Sequence, residues 1–309
     1  MLGLFGTLNL GARSLQAQQT AVQVTSQNLA NVNNPAYARQ RVQLQSSPTV
    51  AGPNGPQGTG VLALSIQQLR DRLVDGQVAS ESSVGGYWSA HQSSLQKAQV
   101  ALGEFIDRNA DATSAAGSGA ATGLADALAK FFNRFQSVAR EPGSREARAS
   151  ALAAAQDFAL RLNQTSGRLA ALNAGLNQEC SASVAQANQL LAQVAALNEG
   201  IRSAELGGVG QANELRDLRQ QKLEALAGLM NFSTTENANG TVDIAVDGQP
   251  LVAGVQVADT LAAFDAGGGQ LQLRTATTGT PVALTGGSLA GVLEVRDGSL
   301  QLLRDRLDG

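Results

Sequence analysis

Apolar residues recur every seven positions in two stretches of this chain and alternate with polar ones in others. Between residues 4 and 31, Leu8, Leu15, Val22 and Leu29 stand seven apart, with Ala12 and Ala21 beside them and glutamines around them. A sustained repeat of seven is a helix whose narrow seam lies against another helix. Burying one such side chain stabilises by roughly 1.5–3 kcal/mol. Four of them do not offset the ordering entropy of a lone helix this long, so the pattern predicts a helix loosely held until it meets a partner helix.

The second repeat is longer. Leu162, Leu169, Leu176, Leu190 and Leu197 share one heptad position, with Ser183 in the gap. Ala159, Ser166, Asn173, Cys180, Ala187, Val194 and Ile201 share the other. With Ser144 as N-cap and Gly207-Gly208 as stop, this predicts a coiled-coil-like rod of roughly 90 Å at 1.5 Å per residue. A further helix over 211–229 is expected to run back antiparallel through the GGVG loop. Helical spacing also covers Gln67 to about Asp107, with Gly85-Gly86 as a candidate break, and 122–140, where Leu124, Leu128, Phe131, Phe132 and Phe135 form the apolar side. NADATSAAGSG, 109–119, reads as a flexible link.

Alternation marks the strands. In 37–45, Val42 and Leu44 oppose Arg39, Arg41 and Gln43; in GVLALSI, Leu62, Leu64 and Ile66 share a face. Between them lies a loop of three prolines and three glycines, SSPTVAGPNGPQG. Together, 37–66 predict a long-looped hairpin or ribbon. From Phe232 to Leu284 the pattern is β again, with Val242, Ile244 and Val246 alternating between the turn signals Asn239-Gly240 and Asp247-Gly248. Residues 288–309 return to helical spacing, with Leu300, Leu303 and Leu307 in register. A chain ending inside an amphipathic helix is expected to be incomplete. The fold class is mainly α with a small β domain: an N-terminal heptad helix (1–36), a β-ribbon (37–66), a helical bundle (67–230), the β domain (231–287) and the start of a returning helix (288–309).

Composition narrows the function classes. The net charge of −3, with no basic block, argues against nucleic acid as partner. Aromatic residues at 4% favour slim helices packed through small side chains. A single cysteine, Cys180, rules out an intramolecular disulfide and a Cys₄ metal site. The N-terminus lacks the pattern of a cleaved signal peptide. No apolar run is long enough for a membrane span. His91, the only histidine, has no motif around it. The glycine runs at 207 and 266 do not fit phosphate loops. Zinc and calcium spacings are absent. No cofactor or catalytic residue is expected.

One stretch stands out: SQNLANVNNPAYARQRV, 26–42. Asn31 and Asn33 suit a helix end because asparagine tolerates the left-handed conformation. Pro35 forbids continuation of the helix. Tyr37 and Arg39 then share a strand face, where the guanidinium can stack on the ring. Structural punctuation accounts for every residue of it.

The same stretch resembles the N-terminal signature of the flagellar axial proteins, the rod, hook and hook-associated group. Asn28, Leu29, Ala30, Asn31, Asn33, Pro35 and Tyr37 match; Asn34 and Ala36 stand where threonine and glycine are usual. Tyr37, Arg39 and Gln40 resemble the Tyr-x-Arg-Gln of the hook-associated protein 1 family. So, in collinear order, do LRDRLVDGQVASESS (69–83), REARASALAAAQDFALRLNQTSGRL (145–169), NELRDLRQQKLEALAGLMNFSTTENANGTVDIAVDGQPLVAG (213–254) and GGSLAGVLEVRD (286–297).

The resemblance implies a non-enzymatic structural protein of the flagellum, exported by the type III apparatus without a cleaved signal and working outside the cell. It implies self-association in a ring between the hook protein and the next junction protein, with inner-wall packing through Leu8, Leu15, Val22 and Leu29. It implies an export chaperone that contacts a C-terminal helix beyond Gly309, and no nucleic acid or membrane partner. Another axial protein, hook or rod, is the alternative; an enzyme hidden in the β domain is a third reading.

Overall fold

The computed structural model describes residues 3–52, 55–103, 123–207, 210–265, 267 and 270–308. The expected link at 109–119 lies outside them, as does the centre of the GGVG loop. The fold is mainly α-helical with small antiparallel sheets. Helix α1 spans Leu4–Ala30 and leads into the ribbon strands β1, Gln40–Ser46, and β4, Val61–Gln68. These pair antiparallel with an irregularity between Gln43 and Leu44. The Pro/Gly loop between them carries a small hairpin of its own, β2 (Val50–Gly52) with β3 (Gly55–Gln57).

The body begins with α2, Arg72–Leu102. Asp71 caps it, accepting from the Leu73 amide at 2.9 Å, and Gly103 at φ 67° ends it in the left-handed conformation that closes many helices. Gly85-Gly86 is not a break. The helix runs through it, and the glycine has a packing cause: a Cβ on Gly86 would run into the Gly228 carbonyl, so its absence lets the two backbones touch. Helix α3, Leu124–Arg140, packs on the first part of α4, Arg145–Glu205, where Phe131 stacks on Phe158 with centroids 6.3 Å apart. Of its expected apolar side, Leu128, Phe132 and Phe135 remain exposed. Ser144 caps α4 as its sequence position suggests, accepting from the Ala147 amide at 3.2 Å.

Helix α5, Asn213–Leu229, returns along α4. The β segment follows as a four-stranded antiparallel sheet in the order β5 (Ser233–Glu236), β6 (Val242–Val246), β7 (Gln249–Ala253), β8 (Gln256–Val257). A second pair, β9 (Leu261–Asp265) and β10 (Leu271–Thr275), stands beside it. Asp247 at φ 49° and Gly248 at φ 74° make the tight β6–β7 turn that their sequence announces. Ile244, Leu251, Val252 and Leu261 share one apolar cluster with Leu191 and Val194 of α4 and Leu226 of α5.

The chain then runs down α4 as α6 (Gly287–Glu294), a π-helical stretch (Val295–Leu300) and α7 (Gln301–Asp308). Val292 and Leu300 complete a second cluster with Leu169 and Leu176, joined by Leu303 and Leu307. The extra residue of the π-helical stretch accompanies the fully buried Arg296, whose Nη1 donates to Asn177 Oδ1 at 3.0 Å and whose Nε donates to Asp297 Oδ1 at 2.6 Å. Cys180 is buried in the first cluster, where desolvation pushes its thiol up and leaves it inert.

Candidate functional site

Helix α1 has two working faces. Ala17 and Val24 are buried against the ribbon, with the helix packed on β1 and β4. The heptad residues point elsewhere. Leu8 is 71% exposed, Leu15 73%, Val22 64% and Leu29 73%, and Leu4 and Phe5 extend the same exposed apolar surface. The helix is therefore supported by its own chain, through small side chains on a face that the seven-residue repeat does not mark. The seam itself is left open.

Asn28 locks the helix to the ribbon. Its Oδ1 accepts from the Gln40 amide at 2.8 Å, and its Nδ2 donates to the Gln40 carbonyl at 2.8 Å. The Tyr37 hydroxyl donates to the same Oδ1 at 3.1 Å. Burial, and then the charges of Asp217 and Glu214, push the Tyr37 phenol up, so it stays a donor at neutral pH. The side-chain amide thus pairs with the first residue of β1 much as a neighbouring strand would.

The helix exit differs from the expected left-handed stop. Asn31 sits at φ −100°, and Asp247 is the one non-glycine residue with positive φ among the described residues. The chain leaves instead through turns closed by Asn34 N to Asn31 O (2.9 Å) and Tyr37 N to Asn34 O (3.1 Å), while the Asn34 side chain accepts from the Ala36 amide at 3.2 Å. Asn34 thus supplies locally the contact that a left-handed residue would otherwise organise, and Ala36 fits without positive φ. Ala30, Asn33, Pro35 and Arg39 are exposed; Asn31 and Tyr37 are half-buried; Gln40 is buried. Tyr37 is thus engaged by Asn28, and Arg39 stands free on the surface.

The residues that anchor this exit to the body lie 145 to 179 positions away and were not singled out by spacing. Asp217 Oδ2 accepts from the Ala38 amide at 3.1 Å, and its Oδ1 accepts from Gln68 Nε2 at 3.0 Å. Gln68 also donates to the Asn213 carbonyl at 2.6 Å, and Asn213 Nδ2 donates to the Ile66 carbonyl at 3.0 Å. The available signal is polar residues four apart, Asn213 and Asp217, on the face of α5 that continues in buried Leu223 and Ala227.

The next residues of α5 hold the β sheet. Arg216 forms a two-pronged pair with Glu205 at 2.8 Å and reaches Glu236 at 3.1 Å. Arg219, buried and lowered to about 10 by desolvation and by Arg216, donates through Nη1 to Asn198 Oδ1 (2.8 Å) and the Gly240 carbonyl (2.7 Å). Asn198 and Asn188 repeat the device of Asn28. Asn198 brackets the amide and carbonyl of Val242, at 3.2 and 2.8 Å; Asn188 brackets those of Leu261, at 2.9 and 2.8 Å. In all three cases a helix-borne asparagine meets the first residue of a strand.

A cleft of about 810 Å³ lies between α2, α5 and β5, lined by Arg70, Arg72, Arg216 and Arg219 with Asp75 and Glu236. The arginines are engaged within the chain: Arg72 pairs with Glu236 at 2.9 Å, Arg70 faces Asp75 at 3.7 Å, Arg216 pairs with Glu205 and Glu236, and Arg219 donates to Asn198 and the Gly240 carbonyl. No nucleophile–base pair lines it. Among the described residues no three His, Cys, Asp or Glu side chains come together as a metal site, and no helix is long and apolar enough to cross a membrane. The distinctive surface among the described residues is the open apolar seam of α1.

Comparison with known proteins agrees with this architecture. Residues 113–309 match the family described as flagellar hook-associated protein FlgK helical domain. The chain belongs to the FlgK family. A stretch of 195 residues, 61% of the chain, is 28% identical to flagellar hook-associated protein 1 of Bacillus subtilis (strain 168), of which it covers 36%. The flagellar hook junction protein FlgK from Burkholderia pseudomallei shares the fold, with a TM-score of 0.61 and 24% identity over 75% of this chain and 40% of that one. The chain thus spans about two fifths of the length of these FlgK relatives. The helices α3 to α7 and the sheets between them are the FlgK-type helical domain; α1 and the ribbon lie ahead of the matched family region.

Proposed function

We propose that the chain is a non-enzymatic structural subunit of the bacterial flagellum that joins hook to filament and assembles through α1. One observation carries this: a docked helix keeps Leu8, Leu15, Val22 and Leu29 in water along its whole length. At roughly 1.5–3 kcal/mol each, burying these four offers about 6–12 kcal/mol to a partner helix. Membership of the FlgK family and the names of the relatives supply the setting. In this reading α1 (within 1–36) belongs to an inner layer. The ribbon, 37–66, leads to the helical bundle, 67–230, and the β domain, 231–287, lies outermost. Residues 288–309 begin the return. The subunits form a ring that contacts the hook protein on one side and the next junction protein on the other. Before assembly an export chaperone holds the chain, and type III export carries it outside the cell without a cleaved signal.

Leu15→Asp tests the reading. The variant should fail to incorporate at hook–filament junctions in cells, while the melting of the purified body shifts by no more than the ~0.5 kcal/mol usual for a surface substitution. Normal incorporation sinks the proposal. A hook or rod subunit is the second reading, and the FlgK match over α3 to α7 favours the junction role over it.

A further inference from the structure

The molecule divides into an arm, α1 with β1 to β4, and a body that begins at α2. Among the described residues, no helix of the body packs broadly on α1, β1 or β4. What joins them away from the covalent connection is a set of directional polar contacts at the first turns of α5. Asp217 is 6% exposed and Asn213 7%; Ala38, whose amide the carboxylate receives, is 8% exposed. One carboxylate reaches both roots of the ribbon, since Ala38 lies two residues before the start of β1 and Gln68 is the last residue of β4. The two roots are also tied to each other, with Leu69 N donating to the Arg39 carbonyl at 2.8 Å.

We infer that Asp217 is the positioning residue that sets the angle at which the arm leaves the body, by holding both strand roots of the ribbon in one carboxylate. Hydrophobic contact is non-directional, so an apolar joint would let the arm slide over a range of angles. Hydrogen bonds are directional, and two of them to the two oxygens of one planar group define an orientation. The same side chain is rooted in a helix that its neighbours Arg216 and Arg219 fix to the body, so the angle is referred to the body's core. The contacts at the joint are mainly polar, so their loss frees the arm and leaves the body intact. Arms that must line up around a ring need such a fixed angle. The inference itself holds for the single chain whatever the assembly.

The test is a distance distribution between spin labels at Gln45→Cys on β1 and Gln189→Cys on the exposed side of α4, with buried Cys180 left unlabelled. The parent chain should give one narrow distribution. Asp217→Ala should widen it at least two-fold while the thermal unfolding of the body is kept. Gln68→Ala, which removes one of the two contacts to Asp217 together with the bond to the Asn213 carbonyl and changes no residue of α5, should widen it to a lesser degree. Equal widths in parent and Gln68→Ala, with Asp217→Ala either equally narrow or unfolded, overturn the inference. Because the measurement uses the isolated chain, failure of Leu15→Asp to disturb assembly would leave this result standing, and the reverse.

Discussion

Helices α1 and α4 carry the same seven-residue repeat and use it in opposite ways. In α4, Leu169, Cys180, Ala187, Val194 and Ile201 are fully buried and Leu176 is 1% exposed, because α2, α5, α6 and α7 all reach it. In α1 the equivalent positions stand in water, and the chain covers the helix through Ala17, Val24 and Asn28 instead. A heptad repeat therefore marks an apolar seam without saying which of the described elements, if any, covers it. Where the partner is internal, the seam is also widened, by Val184, Leu191 and Ala195, into a core face. In α1 the seam stays narrow, and the contacts with the other described elements are made by Ala17, Val24 and one amide.

The largest expected effect breaks the buried member of this pair. Leu176→Asp would place an unpaired carboxylate among Leu169, Val292 and Leu300. Burying a charge without a partner, together with the lost packing, should cost more than about 4 kcal/mol. That is a large share of the roughly 5–15 kcal/mol that holds a domain of ordinary stability. The urea midpoint of the body should collapse. A midpoint close to that of the parent would show that α4 is not the core helix described, and would remove the contrast with Leu15→Asp.

A smaller effect sharpens the polar half of the comparison. Asn198, on α4, is wholly buried and serves Val242, Gly254 and Arg219 at once. Asn28, on α1, is half-buried and serves Gln40 and Tyr37. Leaving buried donors and acceptors unmade costs about 1–3 kcal/mol each, whereas water can replace a partner at a half-open site. Asn198→Ala should thus destabilise by about 3 kcal/mol in chemical denaturation, taking this as the upper end of a single unmade buried group. Asn28→Ala should cost visibly less. Equal costs would mean that burial does not separate the two helices as claimed.

The features legible in the sequence were those with a short period or a local cause. The two heptads, the Ser144 cap, the Asp247-Gly248 turn and the β segment after Phe232 all stand where residue spacing puts them. Those that were not legible depend on distant pairs. Asn188 meets Leu261 73 residues on, and Asp217 meets Ala38 across 179 residues; no periodicity encodes either. Which face of α1 its own chain would cover was hidden for a related reason: Ala17 and Val24 are too sparse to form a stripe, and the stronger stripe belongs to the seam. Gly85-Gly86 looked like a helix stop because its cause, the Gly228 carbonyl, sits on another helix. The helix exit was recognised as a turn, but its geometry follows from the Asn34 side chain rather than from a left-handed asparagine.

The smallest expected effect separates the two regions by pH. In the β segment, burial raises Asp259, but amides of Thr277, Thr260 and Thr278 donate to its carboxylate and together hold it at about 2. An unfolded aspartate titrates at about 3.9. A group depressed on folding contributes stability that is present above the unfolded value and is lost as pH falls from about 4 through 2. Asp217, at the joint of the arm, is shifted the other way: burial raises it, against the amide of Ala38 and the charge of Arg70. Its contribution is fully present below the unfolded value and declines as pH rises through the folded one. Acid should therefore weaken the β segment and not the joint. The amide shifts of Thr260, Thr277 and Thr278 should titrate together near pH 2, and Asp259→Asn should flatten the loss of thermal stability between pH 4 and 2. Asp217→Asn should leave that acid slope unchanged. An acid slope that survives Asp259→Asn and disappears with Asp217→Asn would invert the assignment and place the acid-labile contact in the arm.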